Sequence, residues 1–139
     1  MLQTVATGPT STVCMTEALH KQFLGLQKAG KREAMRRLTR IMQFYANDGP
    51  KFLSDAKFKT NEGRHSLGAG FARTALVQAF ADESEGIRIY GCRETVNGRS
   101  TFICTVMDDN KKKQRADQDK LARAAVVVGA ELLKLGVRK

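Results

Sequence analysis

The chain has 139 residues, of which 24 are Lys or Arg and 14 are Asp or Glu, so its formal charge at pH 7 is +10. Its length indicates one domain, and a hydrophobic content of 42% excludes a disordered basic tail. No apolar run reaches the ~18 residues of a membrane span, and the first residues lack the pattern of a secretory signal. We therefore expect a cytoplasmic protein that does not engage a membrane, and the charge favours polyanionic partners, nucleic acid above all.

Residues 1–13 carry no charged side chain and are rich in Thr, Ser and Gly. This composition predicts a flexible N-terminal lead-in, which leaves residues 14–139 as a single α+β domain. Apolar residues at helical spacing predict a first helix over 16–29, with Thr16 as its N-cap. A second amphipathic pattern predicts a helix over 31–47, which Pro50 cannot continue.

The middle of the chain predicts a small antiparallel sheet. Residues 51–75 are rich in Lys, Arg and Gly and indicate a loop with short extended pieces. Three segments of strand length and β-branched or aromatic content follow, at 74–80, 87–92 and 101–107. They predict a meander of three to four strands, and a helical pattern over 117–135 completes the α+β domain.

The three cysteines favour neither a disulfide framework nor a zinc site, because their number is odd and no CxxC spacing occurs. The Asn97-Gly98 dipeptide predicts a two-residue hairpin turn. In that register Cys92 faces Ile103 and Cys104 faces Gly91, so the two thiols point to opposite faces of the sheet. We expect free, packed thiols, and the sequence predicts no metal and no cofactor.

One arrangement suits phosphodiester chemistry. Arg88 and Tyr90 lie at i and i+2 on one face of a predicted strand, and an arginine is costly to bury there without an anion. With His65 from the preceding loop as acid or base, they predict a catalytic cluster for metal-independent RNA cleavage. Alternatively, Arg88 forms an internal salt bridge with Glu94 or with an acid on the last helix.

Basic residues outside this cluster are candidates for nucleic-acid binding. They fall in three segments: the loop after the second helix, the second helix itself, and the run that follows the last strand, where like charges repel unless an anion offsets them. The residues are Lys57, Lys59 and Arg64; Arg36, Arg37 and Arg40; and Lys111, Lys112, Lys113 and Arg115.

The order of these elements resembles the RelE/HigB-like toxin superfamily, in particular its phage-borne, toxin-like branch. The resemblance covers about residues 16–128 and depends on two helices, a meander containing Gly86-Ile87-Arg88-Ile89-Tyr90, a hairpin into 101–107, then Lys111-Lys112-Lys113 and an Ala-rich helix. It implies a RelE-like fold in which Arg88 contacts the scissile phosphate and Lys112 or Lys113 supplies positive charge.

The resemblance further implies a toxin-like or phage-encoded effector that acts on RNA or the translation machinery, as an mRNA endoribonuclease of RelE/HigB type. Its implied partners are RNA or the ribosome and an acidic antitoxin. Residues 76–81 contain no lysine where ribosome-dependent members place catalytic basic residues. This departure favours the alternative, a non-catalytic basic protein that binds and inhibits a host nucleic-acid enzyme or complex.

Overall fold

The computed structural model of the chain describes residues 1–109 and 117–139. Its strands are β1 (Gln3–Thr7), β2 (Thr12–Met15), β3 (Phe58–Ser66), β4 (Thr74–Asp82), β5 (Ile87–Val96) and β6 (Arg99–Asp108). Its helices are α1 (Glu17–Lys28), α2 (Arg32–Asp48) and α3 (Gln118–Lys134), and a single helical turn, Pro50–Phe52, follows α2. The prediction of an α+β domain is confirmed.

The six strands form one mixed sheet in the order β1-β2-β6-β5-β4-β3. β3 to β6 are antiparallel neighbours, whereas β2 runs parallel to β6, with Val13 opposite Phe102. The predicted meander is therefore present, but it is one part of a larger sheet.

The prediction for residues 1–13 is wrong. This segment is part of the sheet. β1 and β2 form an antiparallel hairpin, and Val13 and Met15 are fully buried. The physical reason is that an uncharged segment of Thr, Val and Ala can lie against the sheet and α2 without burying a charge.

The two predicted N-terminal helices are confirmed almost to the residue. The Thr16 hydroxyl accepts a hydrogen bond from the Leu19 N–H and so caps α1. At the end of α2, Gly49 has φ of 77°, a left-handed conformation that glycine adopts without strain, and Pro50 follows it.

Two cores lie on opposite faces of the sheet. On one face α1 and α2 cover a cluster of four aromatic rings, with neighbouring centroids 4.9–6.0 Å apart; its members are Tyr45, Phe58, Phe80 and Phe102. On the other face α3 packs through Leu121, Val128 and Leu132. Cys104 lies in the first core and Cys92 in the second, so the predicted register and the opposed thiols are confirmed.

The region 51–75 contains more structure than predicted. Its main element is β3, a nine-residue edge strand that pairs with β4 on one side only. The pairing is interrupted by an irregularity between Lys59 and Gly63, which removes the alternation of apolar and polar residues by which a strand is identified from sequence.

Among the described residues, no helix is both long enough and apolar enough to cross a membrane.

Candidate nucleic-acid interface

Arg88 does not lie on an open face of the sheet. Only 6% of the residue is exposed, and its Nη1 donates a hydrogen bond to Glu62 Oε2 at 2.7 Å, forming a salt bridge between two buried side chains. An internal ion pair is therefore present, but with an acid on β3 instead of the predicted Glu94 or an acid on α3. Glu94 pairs with Arg73.

Tyr90 is also enclosed. It belongs to the core under α3, and its hydroxyl is buried. Burial raises the pKa of Tyr90 to about 12. A phenol held neutral and enclosed in this way is not positioned to meet a polymeric substrate.

The third predicted catalytic residue lies far from the other two. The ring Nε2 of His65 is 3.0 Å from Oε1 of Gln118. His65 is paired with Ala75 and Arg88 with Ala81, so six residues of β4 separate them, or about 20 Å at the rise of a strand. The prediction that Arg88, Tyr90 and His65 form one cluster on an open face is wrong, because Arg88 and Tyr90 are covered and His65 is at the other end of the strand.

The three arginines of α2 differ in whether an acid of the described chain already pairs with them. Arg36 pairs with Glu33 on the same helix at 3.2 Å, and Arg37 donates from Nε to Asp82 at 2.8 Å. That hydrogen bond to Asp82 raises the pKa of Arg37. Arg40 is exposed and has no ion-pair or hydrogen-bond partner among residues 1–109 and 117–139.

The lysines around the start of β3 also differ. Lys59 is largely buried and pairs with Glu83 at 2.6 Å and Asp55 at 3.8 Å, so it is committed to the fold. Lys57 is exposed and, within the described residues, unpaired. Arg64 also lies on β3, nearer its C-terminal end, where it pairs with Leu76 of β4. Lys111, Lys112, Lys113 and Arg115 lie outside the described residues.

The free cations of this region border a groove, which we call the aromatic groove. It has a volume of about 570 Å³ and lies between the middle of α2, the segment 52–57 and the end of β4. Two phenylalanines on its rim are exposed, Phe44 at 53% and Phe52 at 73%. Its lining also includes Arg37, Arg40, Leu53, Lys57 and Asp82.

The electrostatics of the aromatic groove are positive. Both acids of its lining are neutralised, since Asp82 binds Arg37 and Glu83 binds Lys59. Arg40 and Lys57 remain without a described partner, and the Lys51 ammonium lies 5.1 Å from the centre of the Phe52 ring. Exposed aromatic rings beside cations are the combination by which proteins hold single-stranded nucleic acid.

Sequence reasoning missed both phenylalanines. The buried stripe of α2 runs through Leu38, Met42 and Tyr45, and Phe44 lies off that stripe. An aromatic residue off the apolar stripe, in a helix otherwise covered with arginine, was the available signal. Phe52 lay in a segment predicted as a loop, where periodicity gives no information about exposure.

No family model, no curated protein and no solved structure matches this chain. Among the described residues, no group of three or more His, Cys, Asp or Glu side chains is arranged to hold a metal ion.

Proposed function

We propose that the protein is a toxin-like or phage-encoded effector that acts on RNA or the translation machinery by binding single-stranded RNA in the aromatic groove. Arg88 and Tyr90 are buried, which favours binding over strand cleavage. The observation that carries the proposal is the exposure of Phe44 and Phe52 beside Arg40 and Lys57, two cations that no described acid neutralises.

The phenylalanines are the specific part of this argument. Leaving a phenylalanine side chain in water forgoes about 1.5–3 kcal/mol of burial free energy, and neither ring contributes to either core. A base stacked on such a ring gains about 1–3 kcal/mol regardless of its identity. Two rings on one rim thus suit successive bases of a strand that is not paired.

The order of elements agrees only in part with the RelE/HigB-like pattern. Two helices, then four antiparallel strands, then a last helix follow each other as the resemblance requires. The β1–β2 hairpin and the parallel pairing of β2 with β6 are additional to that pattern.

Fluorescence anisotropy of a labelled twelve-nucleotide oligouridine tests the proposal directly. The Phe44→Ala/Phe52→Ala variant should bind at least about 30-fold more weakly, since it lacks two stacking surfaces of about 1–3 kcal/mol each. Leu24→Ala is the matched control, because Leu24 is also a large exposed apolar residue, at 48%, but lies on α1. Control and wild type should bind equally.

Two results would contradict the proposal: equal binding by wild type and the double phenylalanine variant, or tighter binding of a duplex of the same length. The alternative of a non-catalytic inhibitor of a host nucleic-acid enzyme gains support only if the wild-type protein binds no RNA and inhibits such an enzyme through Phe44 and Phe52.

A further inference from the structure

A second basic cleft lies on the same face of the sheet as the aromatic groove, at the opposite end of β4. It has a volume of about 340 Å³ and is bordered by Arg64 of β3, Arg93 of β5 and Arg73 of the loop before β4. Leu76 and Gln78 also line it, and Glu94 is the one acid of its lining. We call it the arginine cleft, and its charged residues give it a net charge of +2.

Two of the three arginines are available to a ligand. Arg73 binds the carboxylate of Glu94 through both terminal nitrogens, at 2.5 and 3.3 Å. Arg93 uses its Nε for the Ser100 hydroxyl at 3.1 Å, and Arg64 makes one long contact of 3.5 Å with the Thr74 hydroxyl. Neither meets a carboxylate in the described part of the chain. Guanidinium groups with free N–H donors bind phosphate through paired hydrogen bonds.

The cleft and the groove are connected along one surface. Leu76 and Gln78 of β4 border the cleft, and Ala81 and Asp82 border the groove. Six residues, or about 20 Å of strand, separate Leu76 from Asp82. Pro50 lines the cleft and Phe52 lines the groove. The exposed Lys51 between them continues the positive charge from one site to the other.

We propose that the arginine cleft binds backbone phosphates of the same RNA strand whose bases stack on Phe44 and Phe52. This inference rests on the proposed function and specifies its substrate as a single strand long enough to reach both sites. At the ~3.4 Å per nucleotide of a stacked strand, 20 Å corresponds to about six nucleotides. A shorter strand fills the groove alone.

The test compares oligouridines of four and twelve nucleotides with an Arg64→Ala/Arg93→Ala variant. Each phosphate contact contributes about 0.7 to the slope of log K against log salt for a single strand. Loss of two contacts should lower the slope by about 1.4, which corresponds to about 25-fold weaker binding of the twelve-nucleotide strand at 0.1 M salt. Binding of the four-nucleotide strand should be unchanged.

Arg123→Ala/Arg138→Ala is the control of equal charge change, because both arginines are exposed and lie on α3 or beyond it. It should weaken binding of either strand less than threefold. The inference is overturned if this control and the cleft variant lose the same affinity, or if the cleft variant weakens both strands equally.

Failure of the inference alone is distinguishable from failure of the proposed function. If the wild-type protein binds both strands with equal affinity and the cleft variant matches it, RNA binding stands and the cleft has no part in it. If the wild type binds neither strand, both proposals fall. Inorganic phosphate is a further probe, with the side-chain NMR signals of Arg64 and Arg93 as the readout. If phosphate shifts these signals and the twelve-nucleotide strand does not, the cleft binds a free anion and the inference is overturned.

Discussion

Replacing Arg88 by alanine removes one partner of a buried ion pair and leaves Glu62 enclosed without its cation. The side chains of Arg88 and Glu62 are 7% and 10% exposed and lie 2.7 Å apart. Breaking a buried pair from one side typically costs about 3–5 kcal/mol. At about 4 °C per kcal/mol for a domain of this size, Arg88→Ala should lower the Tm by roughly 12–20 °C.

The assay is urea unfolding followed by circular dichroism, with two comparison variants. Arg93→Ala removes an exposed arginine from the same strand and should change the free energy of unfolding by less than about 0.5 kcal/mol. Glu62→Met/Arg88→Met replaces both charges by apolar groups of similar length and should be less destabilising than Arg88→Ala.

A different result would refute this reasoning. If Arg88→Ala unfolds at the same urea concentration as wild type, the arginine is not part of the stabilising framework. If RNA cleavage is also measured in the wild type and lost in that stable variant, Arg88 is a catalytic residue and the binding proposal is wrong.

Two further predictions concern packing and titration. Gly129→Ala should destabilise by about 1–3 kcal/mol, since a Cβ there would collide with the Leu67 carbonyl oxygen. Gly25→Ala in α1, where a Cβ would meet open space, should stabilise by about 0.5–1 kcal/mol. Thermal unfolding of the two variants checks both signs. Burial raises the pKa of Cys14 and of Cys92 to about 12, so the folded state favours their neutral thiols. The contribution of these thiols to the free energy of unfolding is complete below pH 9 and is lost as the pH rises toward 12. The urea midpoint should therefore fall between pH 8 and pH 11, and a Cys14→Ala/Cys92→Ala variant that shows the same fall would contradict the assignment.

The helices and the inner strands could be predicted because the spacing of their apolar residues indicates which faces are buried. α2 shows an apolar stripe with period 3.6 beside its arginines, and β6 is apolar on both faces because a core covers each. The Asn97-Gly98 turn then placed Cys92 and Cys104 correctly, since a hairpin turn sets the register of the strands that it joins.

The edge strands could not be predicted, and the errors at the site follow from that. β3 is half-exposed, irregular and polar, so its sequence resembles a loop. No local pattern in the sequence therefore identifies Glu62 as the partner of Arg88. Pairings over long separations in sequence, such as Val13 with Phe102, leave no local pattern that identifies them.

The parallel pairing of β2 with β6 has a consequence for the order in which the protein can fold during synthesis. β2 is complete at Met15, but the strand beside it begins at Arg99. At about 5–20 residues per second, a ribosome needs roughly 4–17 s to make the intervening chain. Throughout that interval β1 is the only strand of the described sheet that can pair with β2, and a two-stranded hairpin is marginally stable in water. The N-terminal hairpin is thus among the first parts of the molecule to be made, but β2 gains its second strand neighbour only after β6 has been made.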